Sequence, residues 1–153
     1  MVADNSTGNI TINIPAGTKS TLSAAYSHAI KQENDGTGSN YGTLTVVCDG
    51  TLVLNSAPLG GAISATNLVI DGTGNIDADA GTSGPSIVSS SIVINGGNIN
   101  SQSVHGNALS ADNITINDGN ITCVATLEGS NAIFATNTLK INGGSVSATA
   151  NLF

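Results

Sequence analysis

The chain has 153 residues and a formal net charge of −7, with Arg absent and Lys confined to Lys19, Lys31 and Lys140. Such a surface repels phosphate backbones and anionic headgroups, which excludes nucleic acid and anionic membrane as partners. No apolar run nears the roughly 18–20 residues that cross a bilayer, and no basic and apolar leader pattern follows Met1.

Apolar residues make up 39% of the chain, yet Trp is absent and aromatics are 3%, so any core must be built from Ile, Leu, Val and Ala. Gly, Asn, Ser and Thr dominate the rest. Regular aliphatic spacing sets the chain apart from a disordered polar sequence. Cys48 and Cys123 fall three repeats apart and match no zinc spacing, which predicts two buried free thiols.

In chain order, residues 1–8 are polar and are expected to form a flexible N-terminal segment ahead of a single domain over residues 9–153. Ile10-Thr11-Ile12 is an early, more distant copy of a short β-type triplet, and Ala29-Ile30 belongs with the third apolar position of the later coils. Lys31–Gly42, reading KQENDGTGSNYG, is polar and Gly-rich and predicts a loop protruding between the first two coils. Five triplets follow: Leu44-Thr45-Val46, Leu68-Val69-Ile70, Ile92-Val93-Ile94, Ile114-Thr115-Ile116 and Leu139-Lys140-Ile141. Their starts lie 24, 24, 22 and 25 residues apart.

Each triplet runs into a turn rich in Asn, Asp and Gly, the residues that tolerate positive φ. A second apolar position follows the turn, at Leu52, Ile76, Ile99, Ile121 and Val146. A third comes at Ile63, Ile87, Leu109 and Ile133. Each period therefore holds three short strands with the alternation of a half-buried sheet. A period of this length means a solenoid, propeller or array. The strands are too short for propeller blades, helical periodicity is missing, and so is a leucine-rich consensus.

The prediction is an all-β, single-stranded parallel β-helix of about 5–6 coils of 22–25 residues, right-handed by the crossover rule. Like residues should stack over like, with Leu44, Leu68, Ile92, Ile114 and Leu139 in one column and Val46, Ile70, Ile94, Ile116 and Ile141 in the next. No cap is evident at either end, and open coil ends expose backbone donors and acceptors. The expectation is either continuation in a longer parent chain or end-to-end association of copies.

NALSADNITINDGNIT at 107–122 and NAIFATNTLKINGGSVSA at 131–148 resemble the repeats of bacterial carbohydrate-binding, polysaccharide-lyase-like β-helix proteins. The resemblance covers Asn67–Ala148 well, Thr43–Ala65 fairly and the first forty residues poorly. It implies a bacterial module, secreted or held at the cell surface with its leader removed, that binds polysaccharide, sometimes with calcium in its turns. Sparse acidic and aromatic residues depart from that pattern.

Catalytic readings find little support in the residues. A lyase on this fold uses a basic residue beside a uronate, and Lys140 stands alone without an acidic cluster. Asp77 and Asp79 lie two apart on one strand and face the same way, so they are candidates for a cation site or for paired-carboxylate chemistry as well as for an ordinary solvated pair. His105-Gly106 lacks the Asp-Asp of pectin hydrolases, and His28 reads as structural. Asp49, Asp71 and Asp118 occupy turns and are either a calcium row or ordinary Asp-Gly bends.

The outward faces remain. On the second strand they carry Thr51/Val53, Asn75/Asp77, Asn98/Asn100, Asn120/Thr122 and Ser145/Ser147, a flat file of amides and hydroxyls. The first strand offers Thr11, Thr45, Val69, Val93, Thr115 and Lys140, a mixed Thr/Val array. Tyr26 and Tyr41 flank the predicted loop and form either a sugar platform or a cover for the first coil. The leading expectation is a non-catalytic, cofactor-free polysaccharide-binding module that uses Thr51, Asn75, Asp77, Asn98, Asn100, Asn120, Thr122 and Ser145, with Tyr26 and Tyr41. A stalk or self-associating solenoid is the alternative, and ice binding on the Thr/Val array comes third.

Overall fold

A computed structural model describes residues 2–4, 8–32 and 42–151. Most of the predicted 31–42 loop, Tyr41 included, lies outside the described residues. Val2–Asp4 forms β1. The first coil holds β2 (Ile10–Ile14), β3 (Lys19–Ser23) and β4 (Ile30–Gln32). The second holds β5 (Thr43–Cys48), β6 (Thr51–Asn55) and β7 (Ile63–Ser64). The third holds β8 (Asn67–Asp71), β9 (Asn75–Asp79) and β10 (Ile87–Val88). β11 (Ser91–Ile94) and β12 (Asn98–Ser103) open the fourth. β13 (Leu109–Ile116) closes that coil and begins the fifth, where β14 (Asn120–Ala125) follows. β15 (Ile133–Ile141) passes in the same way into the sixth, which carries β16 (Ser145–Ala150).

Every pairing is parallel and joins a strand to its counterpart one coil away, so the chain is a parallel β-solenoid with three walls. The first wall contains β2, β5, β8, β11 and the C-terminal halves of β13 and β15. The second is the 6-stranded sheet β16-β14-β12-β9-β6-β3, which has one strand per coil. The third contains β1, β4, β7, β10 and the N-terminal halves of β13 and β15. In those two long strands the third wall runs into the first, with a register shift between Ala111 and Asn113.

The predicted columns form. Ile10 pairs with Leu44, Leu44 with Leu68, Leu68 with Ile92, Ile92 with Ile114, and Ile114 with Leu139. Ile12, Val46, Ile70, Ile94, Ile116 and Ile141 stack in the same way. The central members are fully buried. Each buried Ile or Leu contributes about 1.5–3 kcal/mol by leaving water, and branched side chains pack well on a pleated surface. At the sixth coil the same inward positions lie open to solvent: Leu139 is 46% and Ile141 51% exposed, because no described rung covers them.

The bend from first to second wall depends on glycine. Gly17, Gly72, Gly97, Gly119 and Gly144 take positive φ there, and no other residue type does among the described residues. The Asn and Asp of these turns thus keep ordinary backbone angles, and the adjacent glycine alone takes the left-handed step. At the second corner, inward-facing serines bond to backbone: Ser101 Oγ donates to the Ala108 carbonyl at 2.7 Å and Ser103 Oγ to that of Gly84 at 2.7 Å. These bonds satisfy buried hydroxyls that would otherwise destabilise the core.

Residues 1–8 read as a flexible segment, but Val2–Asp4 pairs in register with Ile30–Gln32 as an extra strand of the third wall. The exposed edge of β4 accounts for this, since backbone pairing needs no apolar pattern. Cys48 and Cys123 are buried and free, on the first and second walls respectively. Burial pushes the Cys123 thiol up to about 12.

Candidate functional site

On the second wall, strand alternation turns one set of residues into the core and the other outward, and parallel register aligns the outward set into files. The first file is Lys19, Thr51, Asn75, Asn98, Asn120 and Ser145. The second is Thr21, Val53, Asp77, Asn100, Thr122 and Ser147. Every sequence-predicted wall residue therefore lands on one surface, at the rung spacing of about 4.8 Å. Asn75, Asp77, Asn98, Asn120 and Ser145 are exposed, while Thr51, Asn100 and Thr122 are half-buried.

A third file lies beside these two, of which only Asp79 was singled out from the sequence: Ser23, Asn55, Asp79, Gln102, Val124 and Thr149. The same two-residue alternation that marked the first two files could have found it. With the second file it borders a cleft of about 300 Å³ lined by Val53, Asn55, Asp77, Asp79, Asn100 and Gln102. Asn55 Nδ2 donates to Ser23 Oγ at 3.4 Å. The side chains of Asp77, Asp79, Asn98, Asn100, Gln102 and Asn120 make no hydrogen bond or ion pair among the described residues. Partial burial pushes the Asp79 carboxyl above its ordinary value.

The corner beside this wall differs. Asn117 Nδ2 donates to Asn95 Oδ1 at 2.9 Å, and Asn142 Nδ2 donates to Asn117 Oδ1 at 2.7 Å, a ladder of amides that satisfy one another. The turn carboxylates are likewise engaged. Asp71 Oδ1 accepts from Gly72 N at 2.8 Å, Asp118 Oδ1 from Gly119 N at 2.8 Å, and Asp49 Oδ1 from Thr73 N at 3.0 Å. Asp71 aligns with Val47, and Asp49 sits two positions further on in its coil. Asp118 lies one position past Asn117, which continues the column of Asn95. The three aspartates thus occupy different columns and do not form a row. Among the described residues, no three of His, Cys, Asp and Glu gather as a metal site requires.

The remaining candidates stand apart. Tyr26 is 94% exposed and lines an apolar cleft of about 260 Å³ with Ala25, Ala57, Pro58 and Leu59. That cleft continues the second wall, because Ala24 N donates to the Asn55 carbonyl at 2.9 Å, just where the polar files end. Tyr41, the other half of the expected platform, lies outside the described residues. Leu59, which no motif had flagged, is exposed and lines the same cleft as Tyr26. His28 is half-buried with Nδ1 3.2 Å from Ser27 Oγ, and burial first, then Lys31, pulls its pKa down. His105 is exposed in a turn, and Lys140 is exposed on the first wall beside Thr115. The Thr/Val array aligns on that wall as Thr11, Thr45, Val69, Val93, Thr115 and Lys140.

Comparison of the chain with protein-family models, with curated proteins and with solved structures finds no match to any of them. The fold is that of a β-solenoid, as the repeat resemblance implies, and the family named by that resemblance has no support from these comparisons.

Proposed function

We propose that this chain is a non-catalytic extracellular module that binds polysaccharide on its second wall. One observation carries the reading: a flat file of amide and carboxylate side chains, held at a fixed rise and without a hydrogen-bond or ion-pair partner among the described residues. Such groups have no structural task, whereas the nearby Asn95–Asn117–Asn142 ladder is occupied with itself. A glycan is a repeating array of hydroxyls that both donate and accept, and amides meet both roles. The exposed Tyr26 ring beside the polar files offers an apolar surface to the face of a sugar ring. Retention on a panel of insoluble and soluble polysaccharides tests this; no retention on any polymer overturns it.

A second reading has its own support in the exposure of Leu139 and Ile141 on the last described rung. These side chains and the edge of β16, unpaired among the described residues, match what each inner rung presents to the next, so the rung is suited to receive one further parallel coil. That coil would come from a second copy or from the same polypeptide. Concentration-dependent assembly of the 153-residue chain, lost in Ile141→Lys, favours the second copy; a monomer at all concentrations counts against it.

A further inference from the structure

Resting on the second wall as the glycan surface, we infer that Asp77 and Asp79 set its specificity, admitting glycans without acid groups and excluding those that carry uronates or sulfates. The cleft they line contains two carboxylates, the amides of Asn55, Asn100 and Gln102, and no cation. Neither carboxylate has an ion-pair partner among the described residues. Lys19 stands in a different file on the first coil, Lys31 is on β4 in the third wall, and Lys140 is on the first wall. The negative charge of the cleft is thus uncompensated locally.

The chemistry divides the lining groups by role. An amide accepts or donates and tolerates neutral and acidic sugars alike, whereas an ionised carboxylate only accepts. It pairs with a hydroxyl or an ammonium donor, and it repels a carboxylate or sulfate brought within contact distance. At about 0.1 M salt the Debye length is about 10 Å, so a ligand charge seated in the cleft feels these two groups with little screening, while acidic residues on distant turns are largely screened. Asp77 and Asp79 also sit side by side on β9, flanked on the next coil by Asn100 and Gln102 in register, so a chain crossing the rungs here meets both.

The test is affinity electrophoresis at about 0.1 M salt through gels containing neutral polymers (glucan, mannan, xylan) or acidic ones (polygalacturonate, alginate, a sulfated galactan). The wild type is expected to be retarded by at least one neutral polymer and by no acidic one. Asp77→Asn/Asp79→Asn is expected to gain affinity for acidic polymers on the order of tenfold, the size expected for removing two contact repulsions in a largely aqueous setting, so that the ratio of acidic to neutral retardation rises whichever way the neutral retardation moves. Asp112→Asn/Glu128→Gln changes the net charge equally but lies outside the cleft, and it should leave the exclusion intact. Wild-type retardation by acidic polymers overturns the inference while leaving the wall reading in place. So does equal gain in both double variants, or no gain in the cleft variant. Retardation by no polymer at all overturns both.

Discussion

Asn117 receives a hydrogen bond from Asn142 on the coil after it and gives one to Asn95 on the coil before it, at 2.7 and 2.9 Å. This residue ties three coils together on the solvent side of a turn. Asn117→Ala is expected to destabilise the fold by about 1–2 kcal/mol, since it leaves two exposed amides to re-pair with water. Asn142→Ala, at the end of the ladder, removes one bond and should lower stability less. Urea unfolding of the two variants checks the order. Equal stability of both with the wild type would mean that the ladder is only a by-product of stacking.

Ile92 sits at the centre of its column between Leu68 and Ile114 and is fully buried. Ile92→Ala should lower stability by about 2–5 kcal/mol, the range for a large-to-small change in a closed core. Leu139→Ala, one column end away and half exposed, should change stability far less. Thermal and denaturant unfolding of the pair gives the comparison, and similar losses at both sites would contradict a tube packed rung by rung.

Asp79 has its folded pKa raised by burial. In the window between its unfolded and its raised folded value, the folded state binds more protons than the unfolded state. Stability therefore falls as pH rises through that window, and the penalty is complete above it. Asp79→Asn removes the penalty, so its melting temperature should exceed that of the wild type at neutral pH. The gap should close as the pH is lowered below the ordinary carboxylate range. A gap that stays constant with pH would contradict the assignment to this carboxyl.

The columns were legible because the chain repeats a three-residue apolar alternation at nearly constant spacing, and parallel register converts such spacing directly into stacking. The outward files of the second wall follow from the same alternation, so the alignment of Asn75, Asn98 and Asn120 on one face is readable from spacing alone. Asn55 and Gln102 obey the identical rule two residues further on, but the inward column beside them runs Leu54, Ala78, Ser101 and loses its apolar signal from coil to coil. Strand β1 carried no pattern to read, since its pairing with β4 is a backbone affair. Whether Asn95 and Asn142 were turn formers or ladder members depended on side-chain amides meeting across coils, which residue type alone leaves open. The fusion of the third wall into the first along β13 and β15 depends on how the corner between two short apolar runs is threaded, and spacing does not report that.

The most direct measurement of the central claim compares two walls of the same molecule. Isothermal titration with a polysaccharide that retains the wild type would be repeated on Asn98→Ala/Asn120→Ala, which alters the second wall, and on Thr45→Ala/Thr115→Ala, which alters the outward face of the first. Loss of binding by about tenfold or more in the former, with the latter unchanged, is the predicted result. Equal affinity in the second-wall variant, or loss confined to the first-wall variant, would contradict the assignment of the second wall as the binding surface.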